Sequence, residues 1–424
     1  MENKVKLKRE LGLLAVTLSG IGIVLGAGIY VLLGKAAGIA GNSVWLSFAL
    51  ASLAAIFTGL SYAELSSIFP KAGAEYEYTT KVLGRKMGFV IGWLTLISGV
   101  IGAAAVALGF GGYFNALFNF PIIPIALSLI IALSLIIFYG TKESVWFVAI
   151  CTFIETLGLI LIILIGIPYL GKVNYFDLPF GFKGVFEAAS LIFFAYIGFE
   201  GIVKLSEETK NPEKTIPKGL LLSIFFSALI YVAVAISAVS IIGWKGLSES
   251  EAPLADIAFI VLGKNAFIFL SLIALFATAN TALLILLGSS RVMYGMADSL
   301  SLPNKLASIH NSRRTPWLAI FLTMFLSLVF VIPGDISFAA KSTNFLIFLT
   351  FIAINAATII LRFKQPNLAR PFKIPLAILK TPIFPVLGLA FCFFMILQLE
   401  KNVWALGISL TLIGGLISLA KRLR

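Results

Sequence analysis

Long apolar stretches separated by short polar gaps run through almost the whole chain. A bilayer crossing needs roughly 20 mostly apolar residues. Twelve segments meet that length: about 11–34, 43–69, 87–116, 121–140, 144–170, 184–205, 217–243, 264–297, 316–333, 342–362, 382–398 and 402–420. The gaps leave no room for a separate soluble domain, so the pattern predicts one polytopic all-α membrane domain with twelve transmembrane helices.

Two of the segments are interrupted. The first reads Gly20-Ile21-Gly22-Ile23-Val24-Leu25-Gly26-Ala27-Gly28-Ile29-Tyr30, with four glycines in nine residues. Each glycine in a helix interior costs roughly 1 kcal/mol relative to alanine. The sixth reads Phe193-Phe194-Ala195-Tyr196-Ile197-Gly198-Phe199-Glu200-Gly201, an acid beside glycines inside an apolar run. Segments 1 and 6 open two successive blocks of five, and an odd number of crossings per block gives the blocks opposite orientations. That is the pattern of an inverted repeat, whose broken helices place a binding site near the bilayer midplane. Taken alone, Gly22 and Gly26 equally suit close helix packing. The matching break in the second block favours a site.

Composition agrees with the pattern. Of 424 residues 60% are hydrophobic and 12% charged, with a mean hydropathy of +1.04. Ordinary globular domains are about 45–50% apolar and about 25% charged, so a soluble enzyme and a disordered scaffold are excluded. The net charge of +13 does not point to nucleic acid, because the basic residues sit in the gaps between apolar runs and not on a soluble face. With the N-terminus cytoplasmic, only Lys35, Lys172, Lys183, Lys245, Lys264, Lys341 and Lys401 fall outside, and the rest of the 32 Lys and Arg fall inside. The positive-inside rule then puts both termini in the cytoplasm of a cell-membrane protein. Residues 1–10 form a charged cytoplasmic segment leading into a retained helix, not a signal peptide. Cys151 and Cys392 are single and far apart, which argues against a disulfide or a metal site. No cluster or motif of a hydrolytic or cofactor-dependent enzyme is present, so no enzymatic activity and no cofactor are expected.

Motifs then narrow the class. The first segment carries Gly26-Ala27-Gly28-Ile29-Tyr30. After the second come Tyr62-Ala63-Glu64-Leu65, Pro70-Lys71-Ala72-Gly73-Ala74-Glu75-Tyr76-Glu77-Tyr78 and Gly88-Phe89-Val90-Ile91-Gly92-Trp93. The sixth runs on to Glu207-Glu208-Thr209-Lys210-Asn211-Pro212-Glu213-Lys214-Thr215-Ile216-Pro217. The eighth supplies Asn280-Thr281-Ala282-Leu283 and Ser290-Arg291-Val292-Met293-Tyr294-Gly295-Met296-Ala297-Asp298. In this order and spacing they resemble the signature strings of the amino acid–polyamine–organocation superfamily over residues 11–303, with Ala74 and Glu75 departing from its pattern. The resemblance implies a ten-helix inverted-repeat core over 11–362, with repeats 11–170 and 184–362, and two peripheral helices over 382–420. That is the fold of sodium-coupled neurotransmitter-type transporters. It also implies secondary transport of amino acids or related amines, by proton symport, sodium symport or exchange. A channel, receptor or non-transporting sensor is the competing class.

A zwitterion at the bilayer midplane needs strong partners at both ends, because burying an unpaired charge is very costly. Unwinding around Gly26, Ala27 and Gly28 exposes N–H groups at a helix start, which suits a carboxylate; glycine also permits positive φ there. The resemblance assigns the ammonium to carbonyls at positions matching Val24, Phe194 and Ile197, beside Gly198. It assigns the side-chain pocket to positions matching Gly99, Ala103 and Ile285, a small apolar lining that fits a neutral aliphatic substrate. Glu155 lies roughly 16 Å along the fifth segment at 1.5 Å per residue, where proton-coupled relatives carry a lysine. An ionisable residue at that depth is a functional hypothesis. Glu155 is a proton carrier, a cation ligand helped by Thr278 or Thr281, or a neutral hydrogen-bonded acid. Glu200 is either a second proton-responsive group or an acceptor for freed N–H groups of the broken helix. Glu64 is placed near the cytoplasmic face, and His310 too far from the bilayer centre to relay protons.

Overall fold

The computed structural model describes residues 9–70, 74–140, 145–299, 301–378 and 380–420. The basic residues among 1–8 and 421–424, Lys71 and Lys142, and motif residues 71–73, lie outside the described residues. The chain is nearly all helix. In order the helices are α1 (Leu13–Val24), α2 (Ala27–Ala40), α3 (Val44–Ile68), α4 (Ala74–Leu83), α5 (Arg85–Phe118), α6 (Ile122–Tyr139), α7 (Val145–Gly166) and α8 (Gly181–Ile192). They continue as α9 (Pro212–Glu249), α10 (Pro253–Leu262), α11 (Lys264–Asp298), α12 (Trp317–Val331), α13 (Ile336–Lys364), α14 (Ile383–Leu397) and α15 (Lys401–Ala420).

Each of the twelve apolar segments contains a helix or an interrupted pair. Among the described residues, nine helical stretches are long and apolar enough to cross a membrane, and four shorter apolar helices accompany them. In lipid every backbone polar group must be satisfied within the protein, and helices do this locally. Their ends follow the sequence. Pro212 starts α9, where its missing N–H is no loss, and Asp335 caps α13 by accepting the Phe338 N–H at 2.9 Å. Helices α4 and α10 fall in gaps that the apolar pattern passes over; α4 is amphipathic, with Glu75 and Glu77 in its first turn and Lys81 in its last.

The packing pairs early elements with late ones: α2 lies on α8, α3 on α9 and α5 on α11. Between them sits a core rich in aromatics, with Tyr30, Tyr62, Tyr113, Tyr196, Tyr231, Phe193 and Phe199 fully buried. The outer faces are apolar too: Phe153 is 63% exposed and Leu416 66%. Exposed apolar area on this scale has no place on a water-soluble monomer. This is a multi-pass membrane protein.

A buried ion cluster ties α3 to α13. Glu64, on α3, is 1% exposed. It accepts from Arg362 Nε at 3.0 Å, from Arg362 Nη2 at 2.5 Å and from the Ile374 N–H at 2.9 Å, with Arg370 Nε 3.3 Å away. A buried carboxylate held by a bidentate guanidinium fixes the end of α3 against α13 and the segment that follows it.

Candidate functional site

The first segment is interrupted where its glycines crowd. Helix α1 stops at Val24, Leu25 leaves the helical region at φ −72° and ψ 38°, Gly26 is extended, and α2 begins at Ala27. Positive φ, expected here, is absent: Gly26 has φ −79°. Its smallness serves instead, since a Cβ at Gly26 would lie 2.8 Å from Thr281 Oγ1, and one at Gly28 only 2.5 Å from Ala195 Cα. The glycines let α2 touch α11 and the sixth segment.

That segment breaks as well. Helix α8 ends at Ile192, a 3-10 turn covers Phe193–Tyr196, and Ile197 is extended. Gly198 then takes φ 120°, a conformation that excludes most side chains. A second 3-10 stretch, Phe199–Glu207, follows. Glu200 Oε2 accepts the Gly198 N–H at 2.9 Å, so this carboxylate caps the freed backbone at the break.

A tyrosine joins the two breaks. The Tyr231 hydroxyl, from α9, donates to the Val24 carbonyl at 2.5 Å and to the Ala195 carbonyl at 3.0 Å. The Val24 carbonyl, expected to be open to an ammonium group, is therefore already partnered. Likewise the Ala27 N–H donates to Thr281 Oγ1 at 3.1 Å, which leaves the N–H groups after it to meet a carboxylate. Sequence reasoning missed Tyr231. Its signal was a hydroxyl on an aromatic ring inside an apolar segment, where phenylalanine would serve for packing alone.

Between the breaks lies a cavity of about 250 Å³. Of the residues singled out from sequence, Val24, Gly26, Ala27, Gly28, Gly99, Phe194, Ile197, Gly198, Ile285, Glu155, Glu200 and Thr281 border it. Two do not. Ala103 is fully buried in packing, and Gly102, one residue and about 100° around the helix, takes the cavity face instead. Thr278 is fully buried away from the cavity lining, its hydroxyl donating to the Ala274 carbonyl at 2.7 Å.

The lining is also more polar than expected, through Thr95, Ser98, Ser289, Thr343 and Asn280. Three of these hydroxyls are occupied by their own helices: Thr95 donates to Ile91 at 2.9 Å, Ser98 to Thr95 at 2.8 Å and Thr343 to Ala339 at 3.0 Å. Among the described residues, the ionisable ones bordering the cavity are Glu155, Glu200 and Lys204. None of them belongs to α5 or α13, so the wall around Gly102, Thr343 and Ile347 offers no carboxylate. Glu155 is 1% exposed and faces the same cavity as the Asn280 side chain. The Tyr30 hydroxyl donates to the Glu155 carbonyl at 2.6 Å.

Residues 11–413 match the family model described as amino acid permease. The chain is 34% identical to a branched-chain amino acid permease of Bacillus subtilis, over 93% of this chain and 88% of that protein. It is 30% identical to a methylthioribose transporter of the same organism, over 94% and 90%. With human cationic amino acid transporter 4 it shares 30% identity over 85% of this chain and 61% of the relative.

Proposed function

The chain belongs to the amino acid permease family, and from that premise we propose that it carries neutral aliphatic amino acids across the cell membrane in symport with protons. The observation that carries this reading is the cavity at the meeting of the two interrupted helices. Backbone N–H groups at the start of α2 receive the substrate carboxylate, helped by the positive end of the α2 dipole. Carbonyls of the sixth segment around Phe194 and Ile197 receive the ammonium group. The side chain extends toward Gly99, Gly102, Ile285 and Ile347, where a lysine or arginine side chain would find no carboxylate. A relative that is a branched-chain permease supports the same substrate class.

In this reading the chain crosses the membrane twelve times, with α1 and α2 forming crossing 1 and α8 with the 3-10 stretches forming crossing 6. Residues 11–170 and 184–362 are the two inverted repeats, which the pairing of α2, α3 and α5 with α8, α9 and α11 supports. The Lys and Arg distribution places both termini in the cytoplasm. Lys204, exposed at the edge of the cavity, then lies on the cytoplasmic side. On the opposite side Lys35 Nζ meets Glu251 Oε1 at 3.3 Å. The conformation is accordingly open inward, one of the two states that alternating access requires.

Counterflow of labelled L-leucine in proteoliposomes tests the reading. Valine and isoleucine should compete, lysine and methylthioribose should not, and an inward proton gradient should accelerate net uptake without sodium. Competition by lysine equal to that by leucine overturns the substrate class. Strict dependence on sodium overturns the coupling, and exchange without net uptake overturns symport.

A further inference from the structure

Among the described residues, two buried side-chain oxygens bordering the cavity have no hydrogen-bond partner: Glu155 Oε1 and Asn280 Oδ1. They belong to two side chains close enough for the Asn280 amide to act on the Glu155 carboxyl group, on helices α7 and α11 that pack together. Two unpaired acceptors in one buried site are an expensive arrangement. A single proton resolves both. On Glu155 Oε1 it becomes an O–H donor, and Asn280 Oδ1 accepts it. The neutral acid and the carboxamide are then joined by a hydrogen bond.

We propose that Glu155 and Asn280 together form the proton-binding site, with Asn280 the positioning residue that holds the carboxyl group in both protonation states. The inference rests on the proton-symport reading given above. No cation among the described residues pairs with Glu155. The titratable groups interacting with it are Tyr30 of α2, Tyr231 of α9 and Cys151 on its own helix; Glu200 and Lys204 border the same cavity. All three neighbours of Glu155 are uncharged at neutral pH, so protonation changes the local charge from −1 to 0.

The pair is wired to both substrate contacts. Thr281, next to Asn280, holds the Ala27 N–H at the first break. Tyr30, three residues on, donates to the Glu155 backbone carbonyl, and Tyr231 touches both breaks. With the acid neutral, α7, α11 and α2 are held in the arrangement that binds substrate. Loss of the proton to the cytoplasm leaves Oε1 and Asn280 Oδ1 as facing acceptors, loosens that arrangement and releases substrate to the same side. Coupling requires only that substrate prefer one protonation state.

The test is L-leucine affinity of the purified protein as a function of pH, together with pH-driven leucine uptake in proteoliposomes. In the wild type, affinity is high at low pH and falls as pH rises. Asn280→Leu removes the amide donor that Asn280 offers the carboxylate as well as the acceptor for the acid. Charge-assisted hydrogen bonds are the stronger of the two kinds, so the carboxylate loses more. The midpoint of the affinity profile should move up by about one pH unit, a tenfold change in proton affinity. Glu155→Gln supplies an amide N–H where the acid had O–H and should show the low-pH affinity at every pH. In Glu155→Gln, adding Asn280→Leu should create no new pH dependence. If Asn280→Leu does not fold, Asn280→Ala provides the same comparison. A wild type driven by protons whose midpoint is unmoved by either Asn280 variant overturns the paired site. A wild type indifferent to pH overturns the symport reading itself.

Discussion

Gly102→Ala separates the wall of the side-chain pocket from the packing behind it. A Cβ at position 102 would lie 3.5 Å from Thr343 Cγ2 and 3.7 Å from Phe194 Cε2, which is ordinary contact. The fold should tolerate it, because alanine inside a helix is favoured over glycine by roughly 0.5–1 kcal/mol. The new methyl group instead takes space from the cavity. For leucine, whose branch reaches the wall, one methyl group of overlap costs about 1–3 kcal/mol. At 1.4 kcal/mol per tenfold this is roughly a 5- to 140-fold loss of affinity. Alanine as substrate stops short of the wall and should lose less than about twofold. Competition of labelled substrate by alanine, valine and leucine gives the three affinities in one proteoliposome assay. Ala103→Leu is the internal contrast: Ala103 is buried in packing, so that change should lower stability and depress all three substrates alike. Equal losses for alanine and leucine in Gly102→Ala would refute the assignment of this wall to the substrate side chain.

Three further substitutions probe the breaks and the buried ion cluster. Gly28→Ala puts a methyl carbon 2.5 Å from Ala195 Cα, so α2 and the sixth segment must part; leucine binding should fall more than about tenfold, whereas Gly295→Ala, which meets nothing within 4 Å, should bind as wild type. Tyr231→Phe leaves the Val24 and Ala195 carbonyls without their hydroxyl, and at about 1–3 kcal/mol per buried unsatisfied group the thermal midpoint in detergent and leucine affinity should both drop. Arg362→Leu takes the bidentate guanidinium from Glu64, leaving it Arg370 Nε at 3.3 Å and the Ile374 N–H, and should destabilise by about 1.5–3 kcal/mol; adding Glu64→Gln should restore part of the lost thermal stability.

The breaks were legible because glycine is a local signal. Four glycines in the first segment and an acid beside glycine in the sixth mark backbone that a helix disfavours, and both interruptions fall there. The detail that failed was rotational. Around α5 a one-residue error turns the side chain by about 100°, which is the difference between Gly102 on the cavity and Ala103 behind it. On α11, of the two threonines singled out, Thr281 borders the cavity and Thr278 does not. Other features were not local at all. Nothing near Tyr231 in sequence says that its hydroxyl reaches carbonyls of two distant segments, and the partnership of Asn280 with Glu155 spans two helices far apart in the chain. The sequence puts Glu64 near the cytoplasmic face, but its ion pair with Arg362 needs the folded bundle to bring α3 and α13 together.

The account stands on the claim that the two breaks together hold an amino acid, and a structure determined with bound L-leucine tests this most directly. Leucine density is expected with its carboxylate against the N–H groups that follow Ala27 and its ammonium group at the carbonyls near Phe194 and Ile197. The side chain should point toward Gly102. Density elsewhere in the bundle, or a first segment that runs as one continuous helix through Gly26 with leucine bound, would contradict it.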